Sequence, residues 1–276
     1  MVKNLKRTAK GFQTLSGFIN YKNIQIRYTT TGKGRAVVLL HGFLENLGMW
    51  NAIVPELAKK NRVIAIDLLG HGKSENLGYI HTMQDQVQLV KTVLNSLRLR
   101  KYILIGHSMG GYVALAFAKS YSDTIKGICL MNSTVTADTK EKRINRDRAI
   151  DAVKQNHKTF IKISIPNLFS EDNRKVFKSE IAQITNSALE ISPQSIIAAL
   201  EGMKIRKDQT KLLKNSSYPK LLILGKKDPV LDADSLRKQV KNTNIKLVEF
   251  PDGHMSHIEN KKELINTLQN FVKICK

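Results

Sequence analysis

The stretch Tyr102-Ile103-Leu104-Ile105-Gly106-His107-Ser108-Met109-Gly110-Gly111-Tyr112-Val113-Ala114-Leu115-Ala116-Phe117 decides how the chain reads. Tyr102 to Ile105 make a short buried strand, and the run from Gly110 onward has the apolar character of a helix packed on a sheet. Ser108 falls on the corner between them. Chance supplies a Gly-x-Ser-x-Gly pattern in about one protein of ten of this length, so the setting carries the reading. A serine pinned at a strand-to-helix corner takes a strained backbone, and the residues two before and two after it must lack side chains for the turn to close. Gly106 and Gly110 meet that demand. The corner aims the hydroxyl out of the sheet and sets the Met109 N–H at the positive end of a helix, where an oxyanion can form.

Outward from this corner, short apolar runs alternate with amphipathic segments, the pattern of a mostly parallel sheet covered by helices. Strands are expected at Ile24–Tyr28, Ala36–Leu40, Arg62–Ile66, Tyr102–Ile105, Ile125–Met131, Leu221–Leu224 and Lys246–Phe250. Helices are expected at Trp50–Lys59, Met83–Leu97, Gly110–Ser120, Ser235–Lys241 and His257–Ile274. Within the second, Val87, Val90, Leu94 and Leu97 recur at three- and four-residue steps and place one apolar stripe against a sheet. Gly17 to Tyr28, centred on Asn20-Tyr21-Lys22-Asn23, reads as an opening antiparallel hairpin. The alternation lapses between Ser133 and Asp208, where the chain turns helical and rich in both signs of charge. The expected organisation is therefore a core of residues 17–132 and 208–276, a helical cap inserted at 133–207, and a basic segment at 1–16. Phe160, Ile163, Ile165, Leu168, Phe169, Ile197, Leu200 and Met203 in the insertion read first as its own core.

A serine hydroxyl needs a base within hydrogen-bond reach, and the base needs a third group to hold its tautomer. Downstream, Asp228 stands in the loop after the strand Leu221–Leu224, and His254 in the loop after Lys246–Phe250. Both fall at strand ends on the sheet edge that carries Ser108, the edge where open α/β sheets place their sites. Asp232 and Asp234 are rival acids. His257 is a rival base, but it falls where a helix begins and should point away from the catalytic corner. A second oxyanion donor is expected from His41-Gly42-Phe43-Leu44, where the glycine lets the backbone bend and turn the Phe43 N–H toward the same point as that of Met109. His41 precedes that bend and reads as a structural hydrogen-bonding residue. Asp67-Leu68-Leu69-Gly70-His71-Gly72-Lys73-Ser74 fits neither a Walker pattern nor a dinucleotide fingerprint, and reads as a tight connection beside the site. The histidines do not recur at ligand spacing, so neither a metal nor a cofactor site is expected.

Composition bounds the rest. A chain of 276 residues, 42% hydrophobic and 25% charged, can bury one sizeable core. The formal net charge of +22 is the outlier, and no acidic residue occurs before Glu45. That charge raises non-specific attraction to anions. No helix-turn-helix, stacking platform or zinc finger accompanies it, so a specific nucleic-acid partner is not expected. Cys129 and Cys275, two cysteines far apart with no nearby Cys/His spacing, make neither a secreted disulfide framework nor a zinc site and read as a buried hydrophobe and a surface thiol. The basic N-terminus leads into no apolar stretch of signal-peptide length, and no run nears the roughly 20 residues of a membrane span, which points to a cytoplasmic protein without a transmembrane segment.

These motifs together resemble the α/β-hydrolase superfamily over residues 17–272. The resemblance rests on His41-Gly42-Phe43, the Asp67–Ser74 segment, Gly106-His107-Ser108-Met109-Gly110-Gly111, Asp228 after a strand, and Gly253-His254 with Glu259 beyond. It implies an α/β-hydrolase fold with a helical cap, Ser108 as nucleophile, His254 as base, Asp228 as its orienting acid, and the N–H groups of Phe43 and Met109 as oxyanion hole. Members that dehalogenate or open epoxides carry aspartate where Ser108 stands, which argues against both. The family's acid sometimes sits one strand earlier, where this chain has Met131-Asn132-Ser133 and no carboxylate. The expected activity is hydrolysis of a small-acyl carboxylic ester. Thioesters, lactones, carbon–carbon bonds and perhydrolysis are open on the same constellation, as is a non-catalytic ligand-binding role. The expected partner is a small-molecule ester; the oligomeric state is left open.

Overall fold

Alternation along the strands builds two cores on opposite faces of one sheet. The computed structural model describes residues 13–276 and the backbone of residues 4–7. Its strands are β1 (Asn4–Arg7), β2 (Gln13–Tyr21), β3 (Ile24–Thr31), β4 (Arg35–Leu40), β5 (Asn61–Ile66), β6 (Tyr102–His107), β7 (Ile125–Met131), β8 (Lys220–Gly225) and β9 (Lys246–Phe250). They lie in the order β1-β2-β3-β5-β4-β6-β7-β8-β9. Strands β1, β2, β3 and β5 pair antiparallel, and every pairing from β5 through β4 to β9 is parallel. The hairpin joining β2 to β3 turns on Lys22 and Asn23, both at positive φ (49° and 67°), the two-residue geometry whose twist matches that of the strands. β1 falls within the segment read as a basic N-terminal extension.

The helices are α1 (Val54–Ala58), α2 (Met83–Ser96), α3 (Met109–Ser120), α4 (Lys140–Ser164), α5 (Asn173–Val176), α6 (Lys178–Ala188), α7 (Pro193–Lys204), α8 (Thr210–Asn215), α9 (Ala233–Val240), α10 (Ser256–Glu259) and α11 (Lys261–Ile274). Val38, Leu40, Leu104, Leu130 and Leu222 meet α2 and α3 on one face of the sheet. Their neighbours Val37, Leu39, Ile103, Cys129, Leu221 and Ile223 meet α1 and α11 on the other. In α2 the predicted stripe holds: Val87, Val90 and Leu94 are fully buried, while Leu97 caps the helix. Because β4 and β6 are adjacent and the helices that follow them lie on opposite faces, their carboxyl ends form a topological switch point, where open α/β sheets place their sites.

Three local expectations change. The predicted helix Trp50–Lys59 is a 3-10 turn at Leu47–Trp50 followed by the short α1, with Pro55 in its first turn. The predicted helix 257–274 is broken at Asn260 (φ −129°, ψ 39°). Cys275 is fully buried rather than a surface thiol, because α11 lays its end on β7 where Gly127 has no side chain to displace the sulfur.

Between β7 and β8, residues 132–219 hold α4 to α8 and, among the described residues, no strand. Ile165, Phe169, Leu200 and Met203 there are buried, Phe160, Leu168 and Ile197 partly so, and Ile163 is exposed. Hydrogen bonds tie these helices to loops of the sheet's carboxyl edge: Asn46 Nδ2 donates to Ser187 Oγ (2.7 Å), the His81 N–H to the Ala198 carbonyl (2.9 Å) and the His254 N–H to the Leu168 carbonyl (3.0 Å). Among the described residues, no helix is long and apolar enough to cross a membrane.

Candidate active site

Ser108 occupies a corner that its neighbours leave no freedom to relax. Its backbone is at φ 48°, ψ −114°, outside the ordinary regions for a residue with a side chain, directly before α3. The Ser108 N–H donates to the Met131 carbonyl (2.9 Å), and its carbonyl accepts from the Gly111 N–H (2.9 Å) and Ser133 Oγ (2.8 Å). A Cβ on Gly106 would collide with the Gly110 carbonyl, and one on Gly110 would come within 2.6 Å of the Leu40 carbonyl carbon and 2.7 Å of the His41 oxygen. Both glycines are thus required where the sequence places them, one by the turn itself and one by the approach of α3 to β4.

His254 and Asp228 meet. His254 Nδ1 lies 2.7 Å from Asp228 Oδ2, and the two side chains are 3% and 1% exposed, so water competes little for the contact. Asp228 Oδ2 also accepts from Asn132 Nδ2 (3.1 Å), and Oδ1 from the N–H groups of Val230 (2.8 Å) and Leu231 (3.0 Å). Burial pushes this carboxyl upward, but the His254 ring and these donors outweigh it and hold it below the usual carboxylate range. An ionised Asp228 fixes His254 with its proton on Nδ1 and its Nε2 lone pair free to act as a base. Among the described residues, neither Ser108 Oγ nor His254 Nε2 makes a hydrogen bond to a side chain or backbone group. The rival acids are engaged elsewhere: Asp232 caps α9 and Asp234 pairs with Arg237.

The two residues proposed to supply oxyanion N–H groups follow the adjacent strands β4 and β6 at the same sheet edge. Met109 opens α3 beyond β6, and Phe43 follows the bend after β4; no described residue accepts from either N–H. Leu44 takes φ 62°, a strained conformation that the sequence did not signal. His41 has the structural role expected of it. Its Nδ1 lies 2.7 Å from the Gly42 carbonyl and its Nε2 accepts from the Leu68 N–H (2.9 Å), while burial lowers its pKa to about 4. Asp67 ties the neighbouring connection together through the N–H groups of Leu47 (2.7 Å) and Lys73 (2.9 Å), with Gly70 and Gly72 at positive φ.

Four side chains to which the sequence reading assigned no role hold the site together. Asn132, at φ 45°, sits where a one-strand-earlier acid would stand; it holds Asp228, donates to the Gly253 carbonyl (3.2 Å) and accepts from Ser256 Oγ (2.7 Å). Glu259 Oε1 accepts from the Ser170 N–H and Oγ (both 2.9 Å), Asn173 Nδ2 (3.0 Å) and the Gly253 N–H (3.2 Å), and Oε2 accepts from the Met255 N–H (3.0 Å). It therefore locks the His254 loop to the segment after α4. Glu45 and His107 form a buried pair behind Ser108, with Nδ1 to Oε2 at 2.7 Å. His257 is buried too, and its Nε2 lies 3.5 Å from Glu45 Oε1.

The matched region of a family model described as the alpha/beta hydrolase fold spans residues 35–261, which takes in all of these loops. The chain belongs to the α/β-hydrolase family. Among solved structures, this hydrolase is similar to a thermophilic esterase from Thermogutta terrifontis, 30% identical with a TM-score of 0.88 over 95% of this chain and 99% of that one. It is also similar to 3-oxoadipate enol-lactonase 1 of Acinetobacter baylyi, 25% identical over 91% of this chain and 94% of that protein. A third similar protein is the 2-hydroxy-6-oxo-6-(2'-aminophenyl)hexa-2,4-dienoic acid hydrolase of Metapseudomonas resinovorans, 22% identical over 92% of this chain and 90% of its own length. The names of these relatives cover an esterase, an enol-lactonase and a dienoic acid hydrolase, so membership of the family does not fix the substrate.

Proposed function

We propose that this α/β-hydrolase cleaves carboxylic esters of small acyl groups through Ser108, His254 and Asp228. The observation that carries the reading is the buried His254–Asp228 bond on the sheet edge where Ser108 stands, strained, at the head of α3. In the first half-reaction Ser108 Oγ attacks the ester carbonyl and passes its proton to His254 Nε2. Asp228 stabilises the imidazolium that results. The N–H groups of Phe43 and Met109 hold the tetrahedral oxyanion, a contribution of about 3 kcal/mol for each donor. Collapse expels the alcohol, which leaves with the proton from His254. Water then gives a proton to the same nitrogen, attacks the acyl-enzyme, and releases the acid with Ser108 restored. The Oγ–Nε2 hydrogen bond closes on substrate binding, as catalytic contacts of free enzymes often do. The helices between β7 and β8 act as a cap over the site.

A second reading, supported by the similarity to an enol-lactonase and a dienoic acid hydrolase, keeps the same residues and changes the bond to a cyclic ester or a carbon–carbon bond. A panel of chromogenic acyl esters, lactones and vinylogous diketones separates the two. The ester reading expects turnover of short acyl esters that falls at least about a thousandfold in Ser108→Ala. Absence of ester turnover, or turnover that survives the substitution, would refute it.

A further inference from the structure

His107 stands one residue before Ser108, and its ring is 1% exposed. Nδ1 lies 2.7 Å from Glu45 Oε2, and Nε2 lies 3.0 Å from the backbone carbonyl oxygen of His254. A carbonyl can only accept, and so can an ionised carboxylate. A neutral ring with its single N–H directed at one of these oxygens would set a nitrogen lone pair against the other. Turning the ring over would put carbons against both and strip a buried carboxylate of a donor. The 2.7 Å contact therefore contains a proton. Imidazole is the more basic partner by about two units in free side chains, and the Gly42 N–H already donates to the same Oε2 (3.0 Å), which favours the carboxylate form.

From this geometry we infer that His107 is an imidazolium held by the Glu45 carboxylate, a charged strut that fixes the oxyanion turn to the loop of the catalytic base. The inference rests on the reading of Ser108 and His254 given above and makes His107 and Glu45 positioning residues for it. The strut runs without a break from the Gly42 N–H, through Glu45 Oε2 and both nitrogens of His107, to the His254 carbonyl. One end precedes Phe43, the proposed oxyanion donor; the other is the backbone of the base itself. Gly42 gains a second reason to be glycine: an added Cβ would lie 2.5 Å from Glu45 Oε2 and 2.6 Å from His107 Nδ1, in the space the pair occupies. The groups that face the pair are Asp228, His41 and the rings of His254 (5.1 Å between ring centres) and His257 (5.7 Å). Burial keeps His41 and His257 neutral, each with its pKa lowered to about 4, so they bring no competing charge near neutral pH. Burial also works against a charged His107, but Glu45, the His254 carbonyl and Asp228 outweigh it and raise its pKa, while the same pairing lowers that of Glu45 to about 2.

Nitrogen-edited NMR of the histidine rings of the whole protein at pH 8.5 tests this directly. An ordinary imidazole, with a pKa of about 6.5, is neutral there. One ring is expected to keep both N–H protons. In Glu45→Gln that ring should lose one of them at pH 8.5, and the alkaline limb of kcat should move down by at least about one pH unit, the size of shift that an adjacent opposite charge produces. KM should stay within about twofold while kcat falls about tenfold or more, since misplacement of catalytic groups acts on the chemical step. A wild-type spectrum with no doubly protonated ring at pH 8.5 overturns the strut, and it decides the matter even if the variant does not fold. A doubly protonated ring that persists in Glu45→Gln, or a kcat profile unmoved by that substitution, overturns it as well. Retained turnover in Ser108→Ala would sink the ester reading and leave the ring spectrum unchanged, so the two failures are separable.

Discussion

Replacing Gly110 by alanine perturbs the structural core of the site without touching any group that would react. Gly110 is not among the positive-φ residues, so alanine is acceptable to its backbone, and helix propensity would favour the change. The obstacle is space alone. The new Cβ would lie 2.6 Å from the Leu40 carbonyl carbon and 2.7 Å from the His41 oxygen, where contacts under 3.0 Å are essentially never made. All these atoms are buried backbone at the end of β4, so α3 and β4 must part by roughly half an ångström, against a close-packed interior. Overpacking of this kind costs about 3 kcal/mol. With a urea slope near 3 kcal/mol per molar, the unfolding midpoint should fall by about 1 M. The same displacement moves the Met109 N–H away from the carbonyl it would bind, and kcat/KM should fall between about tenfold and a hundredfold. Gly78→Ala is the matched control: its site is at φ 71° with nothing within 4 Å of the added carbon, so it should cost about 1 kcal/mol of backbone strain and leave turnover unchanged. If Gly110→Ala unfolds within 0.2 M of the wild type and hydrolyses esters at the same rate, the corner does not need its glycine and the packing of α3 on β4 does not set the geometry at Ser108.

Three further outcomes follow from the same contacts. Stability should decline as pH falls from about 6.5 toward 4, because the unfolded chain takes up protons on histidine near 6.5 whereas buried His41, His71 and His257 bind them only near 4, 3 and 4. Each contributes stability that is complete above the upper value and is lost at about 1.4 kcal/mol per pH unit below it, a slope that urea unfolding at a series of pH values measures. Glu259→Ala removes the acceptor of five donors that bind the His254 loop to the segment after α4, and should cost about 3 kcal/mol in the same unfolding assay, with a larger loss in kcat than a surface substitution gives. Asn132→Ala withdraws one donor from Asp228 and should lower kcat/KM about tenfold, the worth of one hydrogen bond to a charged group, as steady-state kinetics on a short acyl ester would read.

What could be read in the chain beforehand is what local spacing encodes. The apolar runs of β4 to β9, the stripe Val87-Val90-Leu94 and the glycines around Ser108 each report on neighbours a few residues away, where period and sterics act directly. The order Ser108, Asp228, His254 could be proposed from sequence because each follows a recognisable strand. Asn132, Glu45 and His107 were not, because their roles come from partners far along the chain: His107 meets Glu45 across 62 residues and the His254 carbonyl across 147. No periodicity marks such a pair, although a histidine at the end of an apolar strand beside Gly106, and a carboxylate three residues after Gly42, are the kind of signal that warrants asking where their protons go. Cys275 misled for a related reason. A residue near a chain end reads as exposed unless the glycine that receives it, here Gly127 on a distant strand, is known to lie beneath. The break at Asn260 was hidden because apolar spacing continues through α11, and only the backbone reveals where one helix stops and the next starts.

The claim that Ser108 is the nucleophile is tested most directly by treating the protein with a fluorophosphonate and mapping the modified peptide by mass spectrometry while ester turnover is followed. One adduct per chain on the peptide that carries Ser108, formed at the rate at which turnover disappears and absent from Ser108→Ala, is the predicted result. Full labelling at another residue, or turnover that persists after Ser108 is modified, would contradict it.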